Sequence, residues 1–317
     1  MMRIGVVGAG AIGGFLAAAL ARAGAHVSVV ARGAHLEAIA REGLRVTSDL
    51  GDFNAQVEAA DDVRRLGEVD VLLLTFKAHQ WPGVRSQLAR FAATDVSVVT
   101  LQNGLPFWYV REPPLQSVDP GGAIGRLFDD DRIVGAVVHV SGTILAPGVV
   151  KQSGGLRYVL GAPGGGDSDR VKNLARLFRS AGLAPEIDRN IRATVWLKLV
   201  NNAGLNPASV LYRMTIKPML ADSGVRAHVH ELMTEAMCVG EAMGVVSGVA
   251  VDERIAYAAR LADVKTSMLQ DYEHGRSLEL EPILGAVIEL GERHGVAVPR
   301  LREAYRRLSR VPSASLR

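Results

Sequence analysis

Cysteine is nearly absent from this sequence, which has a single one, Cys238, among 317 residues. One cysteine excludes an internal disulfide and any metal centre built on several thiolates, and we predict no metal site. The apolar residues around Cys238 recur at helical spacing in residues 231–243. We therefore expect Cys238 to be a small residue of a helical core rather than a reactive thiol.

Long apolar runs and an excess of one charge are missing as well. No stretch reaches the roughly 20 apolar residues that a membrane-spanning helix needs. The N-terminus lacks the apolar run and the small-residue cleavage site of a signal peptide. The 36 basic and 33 acidic residues leave a net charge of +3, without a dense basic stripe. We therefore expect a cytoplasmic protein whose partners are neither membranes nor nucleic acids.

Aromatic residues make up only 5% of the sequence, yet three of them are consecutive, Phe107, Trp108 and Tyr109. They open a proline-containing segment, residues 107–122. Two interpretations of this segment stay open. The aromatic side chains are either a hydrophobic anchor for a long loop or part of the lining of a ligand pocket.

The period of the apolar residues changes along the chain. The first region has continuous apolar runs, which are typical of strands buried on both faces of a parallel sheet. They are residues 4–7, 27–30, 71–75 and 96–101, followed by strand-like runs at 133–140, 149–152 and 156–160. After about residue 188 the period is helical. We predict an α/β fold with a Rossmann-type dinucleotide-binding domain, residues 1–187, followed by an all-helical C-terminal domain, residues 188–317, that supplies the catalytic and substrate-binding groups.

A glycine-rich motif follows the first predicted strand and opens a predicted helix. It consists of Gly8, Ala9, Gly10, Ala11, Ile12 and Gly13. In such a motif the first glycine permits a tight turn, the second lets the backbone approach a pyrophosphate, and the third lets the helix pack closely on the sheet. The N–H groups at the start of the helix favour an anion. We predict that these six residues bind a dinucleotide.

The end of the second predicted strand indicates which dinucleotide is bound. NAD-binding domains usually carry Asp or Glu there, which bonds the ribose 2′-hydroxyl. This sequence has no acid at that position and has Arg32 instead. Because a guanidinium can pair with a 2′-phosphate, we predict that the cofactor is NADP(H). The alternative is an arginine that only faces solvent.

Three polar residues of the second region recur every four positions: Lys198, Asn202 and Asn206. This spacing places one ammonium and two amides on the same face of a helix. Reduction of a ketone requires an acid near the developing alkoxide, and an ammonium can supply that proton. The alternative is a solvated outer face of the helix.

Two further polar residues, Lys77 and Asn103, each follow a predicted buried strand. Ligands of open α/β sheets bind at such strand ends. The alternatives are a surface lysine and an asparagine that belongs to a turn before Gly104.

The order and spacing of five segments resemble the ketopantoate reductases (2-dehydropantoate 2-reductases) over nearly the whole chain. The segments are the glycine motif, residues 76–78, residues 101–104, residues 198–207, and residues 267–271 followed by Gly275, Arg276 and Glu279. The resemblance implies NADPH-dependent reduction of a 2-oxo acid to a 2-hydroxy acid, as in pantothenate biosynthesis. The alternatives are a related NADP-dependent dehydrogenase of a hydroxy or amino acid and a non-catalytic NADP(H) sensor, which would not need an acid.

The resemblance also implies catalytic roles. Lys198 is the general acid that protonates the ketone oxygen, and Glu279 lies beside the lysine and the nicotinamide. Glu281, two residues further on, is a rival for the role of Glu279. The oligomeric state stays open, with a homodimer as one option.

The binding roles follow from the same resemblance. Asn202 and Asn206 hold the substrate, and Ser267 bonds it near its carboxylate. Lys77 and Asn103 line the cofactor cleft, and Asn103 also reaches the substrate.

The sequence departs from the family's pattern at two positions. Ile216 stands where the family usually has a third substrate asparagine, and Leu284 stands near another amide position. Phe107, Trp108 and Tyr109 add aromatic bulk. We therefore expect a 2-oxo acid with a larger or more apolar side chain than ketopantoate. The free hydroxyl of ketopantoate would lack polar partners in such a site, which discriminates against it.

Overall fold

A computed structural model describes residues 1–246, 248–260 and 263–311. The chain forms two compact units, one of Met1–Gln102 with Ala123–Ile191 and the other of Asn103–Gly122 with Arg192–Arg317. The segment Asn103–Gly122 thus groups with the helical residues, although a strand of the first unit precedes it. The sequence-based division at residue 188 does not assign Asn103–Gly122 to the second domain, because no change in the spacing of apolar residues marks this segment.

The first unit is built on a ten-stranded sheet. Its strands are Arg3–Val7 (β1), His26–Val30 (β2), Leu44–Thr47 (β3), Phe53–Ala55 (β4), Glu58–Ala60 (β5), Val71–Leu74 (β6), Ser97–Thr100 (β7), Ile133–Ala146 (β8), Val149–Gly161 (β9) and Ala184–Ile187 (β10). Its helices are Ala11–Arg22 (α1), Gly33–Glu42 (α2), Trp81–Leu88 (α3) and Asp169–Ser180 (α4).

The strand order is β4-β3-β9-β8-β7-β6-β1-β2-β5, with β10 beside β9. The strands β7, β6, β1, β2 and β5 are parallel neighbours. From β1 the chain proceeds to β2 on one side and later to β6 on the other. This reversal makes the carboxyl end of β1 a topological switch point, where open α/β sheets bind their ligands.

The continuous apolar runs form buried strands, as predicted: all four residues of β6 are buried. The runs 149–152 and 156–160 form one strand, because the residues between them continue the ladder with β8 through an irregular register. The sequence pattern does not predict β3, β4, β5 or β10. None of these short strands is a continuous apolar run, since each contains a charged or polar residue.

In the described residues of the second unit, helices alternate with turns and no strand occurs. Its helices are Ile191–Tyr212 (α5), Ile216–Ala221 (α6), Ser223–Ala242 (α7), Val251–Arg260 (α8), Ser267–Glu273 (α9), Ala286–Arg293 (α10) and Pro299–Leu308 (α11), with a π-helical turn at Glu281–Gly285 that leads into α10. The predicted fold class, a Rossmann-type domain followed by an all-helical one, is confirmed. Among the described residues, no helix combines the length and apolar character that crossing a membrane requires.

The prediction that Cys238 is a core residue is wrong, because its side chain is exposed. The residue does lie in a helix, α7, as its surroundings predict. The buried face of α7 includes Leu232, Ala236 and Val239. Cys238 points away from that stripe, since a helix with 3.6 residues per turn buries only one face.

Two glycines let α5 and α7 pack closely. A Cβ at Gly240 of α7 would lie 2.1 Å from Nε1 of Trp196, and a Cβ at Gly204 of α5 would lie 2.4 Å from Cγ of Met233. Trp196 is fully buried and donates its indole N–H to the carbonyl oxygen of Ala236 over 3.1 Å. This contact holds in place the helix that carries Lys198.

We predict that Gly240→Ala lowers the free energy of unfolding by about 1–3 kcal/mol, because the new methyl group overpacks the site against a buried ring. Gly224→Ala in the same helix is the matched control, since its nearest neighbour would be Oδ1 of Asp222 at 3.4 Å. The control should leave stability unchanged or raise it slightly. Urea unfolding followed by circular dichroism measures both, and equal stability of the two variants would contradict the close packing.

Candidate active site

The glycine motif forms the turn between β1 and α1. Gly8 has a φ of +104°, and a Cβ there would lie 2.8 Å from the backbone nitrogen of Phe76. A Cβ at Gly13 would lie 2.2 Å from the carbonyl oxygen of Gly8. A side chain is therefore excluded at both positions, for the reasons that the motif implies: a tight turn and a close approach of the helix to the sheet.

Gly10 precedes α1 and borders open space, since a Cβ there would meet no atom within 4 Å. No side chain caps this end of the helix. The first N–H groups of any helix lack intrahelical partners, and the helix dipole adds partial positive charge. With Ala9 buried and with Ala11 and Ile12 half-buried, the turn fits an anion such as a pyrophosphate, bound by backbone rather than side chains.

Arg32 and Lys77 follow the strands on either side of β1. Val30 at the end of β2 pairs with Val7 at the end of β1, and Arg32 lies exposed just before α2. Lys77 is half-buried and comes shortly after β6 ends. The backbone therefore places both residues at the edge of the sheet that carries the glycine turn.

Two residues that the sequence pattern does not single out bond the carbonyl groups of the glycine turn. Thr75, directly after β6, donates its hydroxyl to the carbonyl oxygen of Gly8 over 2.7 Å. His35 of α2 has its Nε2 at 2.7 Å from the carbonyl oxygen of Ala9. Thr75 directly precedes the segment 76–78, which is a weak sequence signal for a role at the turn. Nothing in the sequence marks His35, because it lies on α2 and not beside the glycine motif in the chain.

Lys198 lies on α5 with its ammonium nitrogen 3.1 Å from Oδ1 of Asn103. Burial lowers the pKa of Lys198 to about 8, and the charge of Glu279 acts in the opposite direction. Loss of hydration disfavours the ammonium, whereas a nearby carboxylate favours it. The group is consequently still protonated at neutral pH but gives up its proton more readily than an ordinary lysine, as general-acid catalysis requires.

The carboxylate that acts on Lys198 is Glu279 rather than its rival. Glu279 is only 7% exposed and raises the pKa of Lys198. Glu281 is exposed and accepts a short hydrogen bond from the hydroxyl of Tyr305. Burial strengthens an electrostatic effect and exposure screens it, so the geometry favours Glu279.

The predicted helical face is present, because α5 runs without interruption from Ile191 to Tyr212 and continues through Pro207. Lys198 and Asn202 are half-buried, and Asn206 is only 6% exposed. The alternative of a solvated outer face is therefore wrong.

A pair of buried hydroxyl groups joins the start of α9 to α5. Ser267, which begins α9, is exposed, and Thr266 before it caps the helix by accepting the N–H of Leu269 over 3.1 Å. The hydroxyl oxygens of Thr266 and Ser209 lie 2.6 Å apart, and Ser209 donates to the carbonyl oxygen of Asn206 over 2.7 Å. The pair fixes Ser267 relative to Asn206, and the sequence pattern does not reveal it.

Asn103 is held in place by the residues that follow it. The N–H of Leu105 donates to the carbonyl oxygen of Pro282 over 2.7 Å. Gly104 has a φ of +80°, and a Cβ there would lie 2.5 Å from the same oxygen. Pro282 follows Glu279 closely in the chain. One backbone contact thus joins the two segments that bring an amide and a carboxylate to Lys198.

The consecutive aromatic residues anchor the segment 107–122 on α5. All three are buried, with at most 3% of each exposed. Tyr109 donates its hydroxyl to the carbonyl oxygen of Arg192 over 2.8 Å, and the guanidinium of Arg192 donates to the carbonyl oxygen of Tyr109 over 2.6 Å. The Tyr109 ring also lies 6.0 Å from that of Trp196. Of the two interpretations, these contacts support the anchor.

Arg254 of α8 holds the backbone of α5 beside Lys198. It donates to the carbonyl oxygen of Leu197 and to Oδ1 of Asn201, each over 2.8 Å. Burial lowers the pKa of Arg254. The sequence pattern does not single out Arg254, because most arginines lie on the surface without such a role.

Comparison with known proteins identifies relatives along nearly the whole chain. The family described as "Ketopantoate reductase PanE/ApbA" matches residues 4–165, and "Ketopantoate reductase PanE/ApbA C terminal" matches residues 190–311. A protein named 2-dehydropantoate 2-reductase from Mesorhizobium japonicum is 43% identical over 298 residues, which cover 92% of this chain and 91% of that protein.

Solved structures agree with this result. The crystal structure of a protein assigned as a ketopantoate reductase from Ralstonia solanacearum MolK2 has a TM-score of 0.91 at 36% identity and covers 98% of this chain and 97% of its own. That of 2-dehydropantoate 2-reductase from Geobacter metallireducens GS-15 has a TM-score of 0.87 at 30% identity and covers 97% and 99%.

The matches confirm the resemblance found in the five sequence segments, and with it the prediction of an oxidoreductase. They extend through both units, so the glycine turn and the helix with Lys198 are parts of one family architecture. The chain belongs to the ketopantoate reductase family.

Proposed function

We propose that this chain reduces ketopantoate (2-dehydropantoate), a 2-oxo acid, to its 2-hydroxy acid with NADPH. The observation that carries the proposal is the half-buried ammonium of Lys198, which has a lowered pKa, donates a hydrogen bond to Asn103 and lies under the charge of Glu279. A sensor of NADP(H) would not need such an acid. The relatives named 2-dehydropantoate 2-reductase support the choice of substrate.

The first unit would bind the cofactor, and its glycine turn fits a dinucleotide, since Gly10 borders open space at the start of α1. The motif from Gly8 to Gly13 would hold the pyrophosphate. Arg32 would pair with the 2′-phosphate, and Lys77 would contact the cofactor as well. The resemblance also assigns a cofactor contact to Asn103, a residue of the second unit. NADPH, when bound, supplies the hydride for the carbonyl carbon of the substrate.

The second unit would bind the substrate and supply the proton. Asn202 and Asn206 would hold the substrate, and Ser267 would bond it near its carboxylate. Lys198 would give its proton to the ketone oxygen and regain one from water. Asn103 orients the ammonium of Lys198 by accepting a hydrogen bond from it, and Glu279 keeps the ammonium charged.

The residues that differ from the family's pattern are buried, as are the three consecutive aromatic residues. This burial argues against the larger, more apolar substrate that the sequence leads us to expect. Leu284 is fully buried, Ile216 is only 7% exposed, and Trp108 and Tyr109 are engaged in anchoring their segment. Side chains that are so far removed from solvent give little apolar surface to a substrate. We therefore retain ketopantoate.

The proposed activity is tested by the oxidation of NADPH in the presence of ketopantoate and of apolar 2-oxo acids of similar size. We expect kcat/KM for ketopantoate to exceed that for the apolar acids by about tenfold or more, because a hydroxyl with polar partners contributes about 1–3 kcal/mol to discrimination. A preference for an apolar acid would restore the expectation based on Ile216 and Leu284. Binding of NADPH without turnover of any 2-oxo acid would indicate the sensor, and turnover only in the oxidising direction would indicate a dehydrogenase.

Replacement of Lys198 by alanine should lower kcat by about 10²- to 10⁴-fold, the usual contribution of general-acid catalysis. NADPH binding, measured by fluorescence titration, should stay nearly unchanged. Lys217→Ala is the control, because Lys217 is an exposed lysine of the same unit. Near-normal turnover of the Lys198→Ala variant would contradict the assigned role.

The pH dependence of kcat/KM should report the titration of Lys198. The acid must be protonated to act, so kcat/KM should be constant below the pKa of about 8 and should fall tenfold per pH unit above it. Glu279→Gln removes the charge that raises this pKa, and the falling limb should therefore move to lower pH. A limb that stays in place or moves to higher pH would show that Glu279 does not act on the lysine.

The cofactor preference should depend on Arg32. Arg32→Ala should raise the Kd for NADPH by a factor of about ten to a hundred, since a charge-assisted contact contributes about 1.5–3 kcal/mol, and should leave the Kd for NADH unchanged. Arg41→Ala is the control, because this exposed arginine lies at the far end of α2 and pairs with Glu42 instead. Equal affinity of the unmodified protein for NADPH and NADH would refute the assignment.

Two further expectations stay predictions. A homodimer would be detected by size-exclusion chromatography with light scattering, and a cytoplasmic location by cell fractionation.

A further inference from the structure

His35 makes a hydrogen bond at each nitrogen of its ring, and both partners are backbone groups. Its Nε2 lies 2.7 Å from the carbonyl oxygen of Ala9, inside the glycine turn. Its Nδ1 accepts the N–H of Gly148 over 3.0 Å. A nitrogen that accepts a hydrogen bond carries no proton, so the ring is the neutral tautomer with its hydrogen on Nε2, and Nε2 donates to Ala9.

The ring is held in this position by its surroundings. Gly148, in the turn between β8 and β9, has a φ of +73°, and its carbonyl oxygen accepts the N–H of Arg45 over 2.9 Å. A Cβ at Gly148 would lie 3.1 Å from the Cβ of Ala38, which lies one helical turn beyond His35 on α2. The imidazole therefore links three pieces of backbone: α2, the β8–β9 turn and the glycine turn.

The bond to the carbonyl oxygen of Ala9 has a consequence for the N–H of Gly10, which belongs to the same peptide group. In a trans peptide the carbonyl of one residue and the N–H of the next point in opposite directions. A donor that fixes the carbonyl oxygen of Ala9 therefore fixes the direction of the N–H of Gly10 as well. Gly10 is the residue at the start of α1 that borders open space. Hydrogen bonding at the carbonyl also polarises the peptide and makes this N–H a stronger donor.

We infer that His35 is a positioning residue for the cofactor: through the carbonyl of Ala9 it orients and polarises the N–H of Gly10 toward the pyrophosphate. The inference rests on the proposed binding of NADPH to the glycine turn. His35 itself touches neither the cofactor nor the substrate in this role. Its effect should appear in the affinity for the dinucleotide and not in the rate of the chemical step.

Two variants of similar length separate this role from simple packing. In His35→Gln the amide can still donate to Ala9 and accept from Gly148, whereas the side chain in His35→Met can do neither. The Kd for NADPH, measured by fluorescence titration, should rise about tenfold in His35→Met, as expected for the loss of one or two hydrogen bonds, and stay within about twofold in His35→Gln. At saturating NADPH, kcat should be nearly the same for both variants. His26→Ala, a change of an exposed histidine of the same unit, should leave all values unchanged.

The result that would overturn the inference is an equal Kd for NADPH in His35→Met and in the unmodified protein. If the unmodified protein does not bind NADPH, the proposed function fails first, so the two failures are distinguishable. Should His35→Met not fold, ¹⁵N NMR of the His35 ring in the unmodified protein provides the test. We expect a neutral ring with its proton on Nε2 and a change of that proton's shift when NADPH is added. A ring protonated on Nδ1, or no change on addition, would refute the role.

Discussion

The partial burial of the Lys198 ammonium is the constraint on which the second unit depends. Removal of a charge from water destabilises a folded chain unless polar groups replace the lost hydration. Asn103 and Glu279 are such groups, and each is useful only if its segment is held in place. The bond between the backbones of Leu105 and Pro282 joins these two segments. Packing some distance from the reacting atoms therefore helps to keep the lysine both partly buried and protonated at neutral pH.

The glycine turn of the first unit offers main-chain groups rather than a charged side chain. Its turn presents backbone N–H groups at the start of α1, and glycine is required where a side chain would meet the neighbouring backbone. Thr75 and His35 bond the carbonyl oxygens of Gly8 and Ala9. With these acceptors engaged, the N–H groups at the helix start are what the turn offers to an anion. The two sites thus use different groups: a partly buried side-chain charge in the second unit and the dipoles of the main chain in the first.

The sequence was a poorer guide to the substrate than to the family. Ile216, Leu284 and the aromatic triplet all suggest an apolar pocket when they are considered by residue type. In the folded chain Leu284 is fully buried and Tyr109 anchors a segment on α5. A hydrophobic side chain has the same identity in a core and in a pocket, so only its exposure distinguishes the two. The same reason explains Cys238, whose helix was predictable but whose position relative to the buried stripe was not.

The sequence by itself determined whatever depends on local spacing: the glycine motif between β1 and α1, the period of the buried strands, and the common helical face of Lys198, Asn202 and Asn206. These features follow from the fixed geometry of a strand or a helix and need no knowledge of distant residues. The tertiary structure decided which distant groups meet. It brought Asn103 and Glu279 to Lys198, whereas Glu281 bonds Tyr305 instead. It also placed His35 against the carbonyl oxygen of Ala9. Such contacts depend on how separate segments pack, and no periodic pattern in the sequence encodes them.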